Sequence, residues 1–189
     1  GYTEIASFGG TLDGKGHTIT GLGATAFCVE CRGTIRNLTI DGSANGENTT
    51  WTVKGTTGVF AHESFGGTFE NCIVKGYTLR HSKAKGEHRL ALVCGIAHDG
   101  STFTGCESTA DCIIDHNGKA NNFSAGLIGE VISNSGLGIA ATIVNCTNRA
   151  TIKATGDYGT NYAVGGIVAY CQGASASIPE VRVIGCVNE

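Results

Sequence analysis

Methionine is absent from the 189 residues, proline occurs once, at Pro179, and tryptophan once, at Trp51. A single proline excludes a collagen-like or polyproline chain. Charged side chains make up only 15% of the sequence, too few for a coiled coil or long helical bundle, and the 30 glycines argue against long helices a second time. No run of eighteen apolar residues occurs, so no segment reads as a membrane-spanning helix, and no membrane insertion is expected. Lys and Arg number 13 against 16 Asp and Glu, a net charge of −3, which gives no basis for a nucleic-acid partner or an anionic-membrane surface. A hydrophobic share of 41% excludes disorder. The missing methionine and a final Cys186-Val187-Asn188-Glu189 that stops within a repeat lead to one expectation. Residues 1–189 form a single module, part of a longer protein in which further repeats adjoin it.

Six segments align. They are Gly16–Leu22, Arg32–Leu38, Gly66–Cys72, Gly100–Cys106, Ala140–Cys146 and Glu180–Cys186, and their last residues are spaced 16, 34, 34, 40 and 40 apart. Ile19, Ile35, Phe69, Phe103, Ile143 and Val183 alternate with polar neighbours, the period of a strand. Two residues further on stand Gly21, Asn37, Asn71, Gly105, Asn145 and Gly185. Gly and Asn share one property: they tolerate positive φ most readily. A backbone kink repeated once per unit follows. After it, Leu22, Leu38, Cys72, Cys106, Cys146 and Cys186 turn inward again.

A second apolar series precedes the kink: Ala26-Phe27, Gly58–Ala61, Cys94–Ala97, Ala125–Gly129 and Gly165–Ala169. A third follows it: Thr39-Ile40, Ile73-Val74, Ile113-Ile114 and Ala150–Lys153. The pattern predicts an all-β, right-handed parallel β-helix, a solenoid of about five coils with three short strands each, its equivalent side chains stacked into ladders. An antiparallel sandwich or barrel also accommodates short strands with turn signals, but has no need of the same bend after every equivalent strand.

Phe8-Gly-Gly-Thr-Leu-Asp-Gly-Lys-Gly-His-Thr-Ile-Thr-Gly-Leu22 resembles the opening coil of right-handed β-helix modules in bacterial surface proteins. Ala125-Gly-Leu-Ile-Gly129 with Ile143-Val-Asn-Cys146, and Gly165-Gly-Ile-Val-Ala169 with Val183–Asn188, resemble the GLUG repeat. The earlier units depart from its Gly-Leu-x-Gly core, with Gly-Val-Phe-Ala and Cys-Gly-Ile-Ala. The resemblance implies an extracellular, adhesin-like module of a secreted or cell-surface protein, and carries no catalytic motif.

Candidate sites are few. Cys72, Cys106, Cys146 and Cys186 read as a core ladder, with disulfides between rungs as the alternative. Cys28-Val-Glu-Cys31 lacks the second pair a zinc site needs. No metal and no cofactor are expected. A carbohydrate lyase or hydrolase needs two carboxylates within ~5–9 Å, and the best acidic cluster is Glu107, Asp111 and Asp115 beside His116. Asp41 faces Lys75 across units, so no acidic ladder is expected there. The run Arg80–Arg89, with Arg80, Lys83, Lys85 and Arg89, and Trp51 read as loop residues suited to glycan or protein binding. Four Asn-x-Ser/Thr sequons, at Asn37, Asn48, Asn122 and Asn145, matter only in a eukaryotic secretory host. The expected role is a non-catalytic structural or adhesion module, partnered by adjoining repeats and by host or cell-surface glycans or proteins. The alternatives are a carbohydrate-active enzyme and a glycan-binding module.

Overall fold

The computed structural model describes residues 1–44, 49–53, 55–81, 86–117, 122–133, 138–154, 162–173 and 180–189. Among these every regular element is a β-strand, and every strand pairing is parallel. With strands numbered in chain order, sheet A holds β1 (Ile5–Phe8), β4 (Cys28–Cys31), β8 (Ala61–Phe65), β12 (Cys94–His98), β17 (Ile128–Ser133) and β22 (Val168–Gly173). Sheet B holds β2 (Thr11–Asp13), β3 (Thr18–Thr20), β5 (Thr34–Asp41), β9 (Thr68–Lys75), β13 (Ser101–Thr104), β14 (Glu107–Ser108), β18 (Ile139–Val144), β19 (Thr147–Asn148), β23 (Glu180–Ile184) and β24 (Val187–Asn188). Sheet C is β6 (Thr49–Val53), β10 (Tyr77–His81), β15 (Ile113–His116) and β20 (Thr151–Ala154). Sheet D is β7 (Thr56–Thr57), β11 (His88–Ala91), β16 (Asn122–Ala125) and β21 (Tyr162–Gly165).

From β6 onward the chain visits sheets C, D, A and B in that order, and each strand pairs with its equivalent in the neighbouring unit. A unit holds more strands than three: β10 to β14, Tyr77 to Ser108, are five. The third apolar series is therefore two series. Ile113-Ile114 pairs with Thr78-Leu79 and Thr151-Ile152 in sheet C, whereas Ile73-Val74 pairs with Glu107-Ser108 in sheet B. The second series is also re-registered. Cys94 stands beside Ala61, so Ala91-Leu-Val-Cys94 is the equivalent of Gly58–Ala61.

The core is a set of ladders. Leu12, Ile35, Phe69, Phe103, Ile143 and Val183 are register partners in sequence. The Phe69 and Phe103 rings stack at 5.0 Å with parallel planes, an arrangement open to identical side chains repeated along a parallel sheet. Leu38 pairs with Cys72, and the rung continues as the Cys106 N–H approaches Cys146 Sγ at 3.4 Å and the Cys146 N–H approaches Cys186 Sγ at 3.4 Å.

Between these two ladders runs the kink. Asn37, Asn71 and Asn145 have φ of 50°, 49° and 51°, and Gly105 and Gly185 have 60° and 61°. They follow directly on register-paired residues Arg36, Glu70, Thr104, Val144 and Ile184, so the five lie in one file. The Asn71 side-chain amide donates to Asn37 Oδ1 at 3.0 Å. A Cβ at Gly105 would stand 2.6 Å from Asn71 Oδ1, so the asparagine side chain occupies the space that the next rung leaves empty.

Gly21 is a correction. Its φ is also positive, 76°, but β3 pairs Thr18, Ile19 and Thr20 with Thr39, Ile40 and Asp41, past the kink. The partner of Thr34-Ile35-Arg36 is Thr11-Leu12-Asp13. A step of 16 residues is too short to pass through sheets C and D, so Gly16–Leu22 is not a full unit away from Arg32–Leu38. Ile19 instead begins a ladder of Ile40, Val74, Ser108, Asn148 and Asn188, which turns from apolar to polar halfway along.

Candidate binding surface

Trp51 lies on β6 rather than on a loop. Its register partner is Leu79, followed by Ile114 and Ile152, so it continues an inward ladder and packs half-buried against the core. Its ring stands 5.9 Å from that of His62. The basic run is likewise divided between strands. Arg80, on β10, donates from Nε to Asp115 at 2.8 Å. Arg89, on β11, donates to Glu130 at 2.5 Å and to Glu87 at 2.7 Å. Lys83 and Lys85 lie outside the described residues.

The acidic cluster does not assemble into a pair with shared chemistry. Glu107 is bound by Arg149, which also reaches Glu189 at 2.8 Å. Asp111 accepts from the Thr109 hydroxyl, and Asp115 is taken by Arg80. Among the described residues no group of three or more His, Cys, Asp or Glu side chains is placed to hold a metal ion. All nine cysteines are free thiols; seven are buried, Cys28 and Cys31 among them, while Cys171 is exposed and Cys186 half-buried. Burial pushes the Cys94 and Cys112 thiols up, away from the thiolate that metal binding or nucleophilic attack requires.

An acidic file does exist, on the outward side of sheet A. Ser7, Glu30, Glu63, Ile96, Glu130 and Tyr170 are consecutive register partners. Its signal is in the sequence as Cys28-Val-Glu-Cys31, Ala61-His-Glu-Ser64 and Ile128-Gly-Glu-Val131, an acid two residues after a small or apolar one. Beside it runs a second file in which Phe65 pairs with His98, then Ile132 and Gln172. The Phe65 and His98 rings stack at 4.1 Å and 5°, and the Arg32 guanidinium sits 4.5 Å over Phe65. Arg32 also binds Glu30 at 3.0 Å, and His98 Nε2 meets Glu63 at 2.9 Å. At the corner with sheet D, Arg89 lies over Phe123 at 5.4 Å, and Phe123 stacks on Tyr170 at 4.4 Å.

The electrostatics of this face disfavour acid catalysis. The His98 hydrogen bond, against partial burial, holds the Glu63 carboxyl below its ordinary value. Burial pulls Glu4 upward, but the Ala26 N–H, the Thr25 hydroxyl and His62 outweigh it, and Glu4 too sits low. Cleavage of a glycosidic bond needs one carboxyl raised so that it stays protonated; these two move the other way. The arrangement instead offers fixed carboxylates, a guanidinium and ring faces on a rigid sheet.

No family model matches the chain, and neither does any curated protein or solved structure. Among the described residues no helix is long and apolar enough to cross a membrane.

Proposed function

We propose that the chain is a right-handed parallel β-helix of about five coils, of the GLUG-like type found in bacterial secreted and cell-surface proteins, and that it serves as a non-catalytic extracellular adhesion module. The outward side of sheet A is its contact surface. What supports the winding is the cyclic order of sheets C, D, A and B with parallel pairing one unit apart. What carries the functional reading is that Glu30 with Arg32 and Glu63 with His98 are paired within the surface itself, with the Glu130–Arg89 pair buried beneath it. Such a surface is ordered in advance and loses little side-chain entropy on contact. Its partner is a glycan or protein surface that stacks on Tyr170, meets the edge of Phe65 between Arg32 and His98, and hydrogen-bonds the Glu63 carboxylate.

The test is binding of the purified chain to immobilised glycans and extracellular matrix proteins, wild type against Phe65→Ala and Tyr170→Ala. Saturable binding weakened at least tenfold by either variant supports the reading. Release of reducing ends or unsaturated uronate from a polysaccharide, lost on substituting Glu30 or Glu63, overturns it in favour of the enzyme.

A further inference from the structure

The apolar interior is interrupted at the corner between sheets C and D. His81 and His116, register neighbours of Val53 and Ala154 in sheet C, are 1% and 0% exposed. Facing them from sheet D are His88, Asn122 and Ser124, also buried. His81 Nε2 stands 3.1 Å from Ser124 Oγ and 3.2 Å from His116 Nδ1, and Ser124 Oγ is 2.7 Å from His116 Nδ1. The His81 ring meets those of His116 and His88 edge-on, at 4.8 and 5.3 Å. His88 Nδ1 accepts the Gly55 N–H at 2.7 Å.

This network is written for neutral rings. Of His81 Nε2 and His116 Nδ1, one carries a proton and donates to Ser124 Oγ while the other is bare and accepts from the hydroxyl, which is what the donor and acceptor count allows two neutral rings. A proton added at the bare nitrogen removes the acceptor of the serine and sets two N–H groups against each other across 3.2 Å. Asp115 favours the added proton on His116, but burial outweighs it, and Arg80 holds that carboxylate at 2.8 Å. From β6 and β16 no titratable side chain faces the corner; from β10 and β15 the groups are Tyr77, Arg80 and Asp115, the last two paired with each other at 2.8 Å. β11 contributes His88 and Arg89, the latter engaged by Glu87 and Glu130, and β20 contributes Lys153, which is exposed. The corner is also under-satisfied, since His81 Nδ1 and both polar side-chain atoms of Asn122 find no partner among the described residues, unlike the buried Ser108–Asn148 rung, whose hydroxyl and amide bond each other.

We propose that this histidine corner is an acid-sensitive latch: protonation at His81 and His116 parts sheets C and D while the phenylalanine-laddered sheet B stays formed. Burial, with His116 and His88 adding to it, holds His81 down to about 3, and burial lowers His116 as well. The free value is about 6.5. His81 is thus neutral when closed and protonated when open across that interval, and His116 shifts in the same direction, so closure is at full strength above about pH 6.5 and weakens as pH falls. Each ring costs up to about tenfold in the closed-to-open ratio per pH unit.

Hydrogen exchange on the full chain between pH 7 and 5, corrected for intrinsic rates, tests the latch. Amides of β10, β11, β15 and β16 are expected to lose protection by about tenfold to a hundredfold per pH unit below 6, with β9, β13 and β18 unchanged. Protection that is flat with pH, or lost evenly over all four sheets, overturns the proposal. Ring nitrogen shifts give a reading independent of any variant. The His81 signal of the closed state remains that of neutral imidazole at pH 5; a His81 titration near 6.5 with protection intact overturns it equally. The low-lying carboxylates Glu4 and Glu63 release their contribution only below about pH 4.5, outside this window.

Discussion

Gly126 lies against the side chain of Asn148, so closely that a Cβ at position 126 would run into the asparagine's amide oxygen. One unit later Gly166 stands in the same relation to Asn188. The asparagines belong to the ladder that turns polar: Ser108 donates to Asn148 Oδ1 at 2.6 Å, and the Asn148 amide donates to Asn188 Oδ1 at 2.7 Å. The glycines make room for a buried hydrogen-bonded rung where Ile40 and Val74 fill the earlier units. Gly126→Ala is expected to cost about 1–3 kcal/mol by overpacking. Because the two sites touch, Gly126→Ala with Asn148→Ala is expected to be less destabilised than the sum of the singles by more than about 0.5 kcal/mol. Urea unfolding of the four proteins measures the coupling; simple additivity contradicts the contact.

Arg89 is the point at which sheets D and A are tied electrostatically. Glu130 is fully buried and Arg89 only 13% exposed, with Nε and Oε2 at 2.5 Å. Removing one partner of such a pair leaves a buried charge without compensation, which costs about 3–5 kcal/mol. Arg89→Ala is therefore expected to destabilise by that amount, and Glu130→Gln in the same chain to recover part of it. Chemical denaturation checks both steps. Recovery is the diagnostic result, because loss of Arg89 packing on Phe123 alone is not repaired by a change at position 130.

Asn145 tests the kink. At φ 51° it is left-handed, a conformation that costs an ordinary residue about 1–2 kcal/mol and glycine almost nothing. Asn145→Ala is expected to lose about 1–2 kcal/mol, and Asn145→Gly much less, since Gly105 and Gly185 already hold the same position one unit either way. Equal losses in the two variants contradict a backbone origin.

The kink file was legible in the sequence because only Gly and Asn suit its φ, and the Ile/Phe ladder because its period is two. What the sequence did not show depends on which way a side chain faces at a corner. Glu30 and Glu63 sit beside inward cysteines or serines, and only register reveals that they share one outward file. Trp51 read as a loop residue because Thr49, Thr50 and Thr52 around it carry no apolar alternation, yet the strand it continues is the Leu79 and Ile114 ladder. The histidine corner stayed hidden for the opposite reason: polar residues are expected outside, and His81, His116 and Ser124 are kept inside by bonding one another. In the first unit the repeat motif occurs twice, around Leu12 and around Ile19, and local pattern alone does not choose between them.

The thiols separate by position rather than by number. Cys171 is exposed, and the Cys72–Cys186 rung runs from buried sulfur to a half-buried one at Cys186. Burial and the nearby Glu130 carboxylate hold the Cys171 thiol above its ordinary value, so it reacts more slowly than a free cysteine despite its access. With a chromogenic disulfide at pH 8, the native chain is expected to release one equivalent slowly from Cys171 and a slower one from Cys186. The remaining seven follow only on unfolding in guanidinium, for nine in all. Cys171→Ser is expected to remove the first phase and leave the second. Fewer than nine thiols in the unfolded, unreduced chain would mean that rungs such as Cys106 and Cys146 are joined, a bond that the parallel direction of stacked side chains opposes.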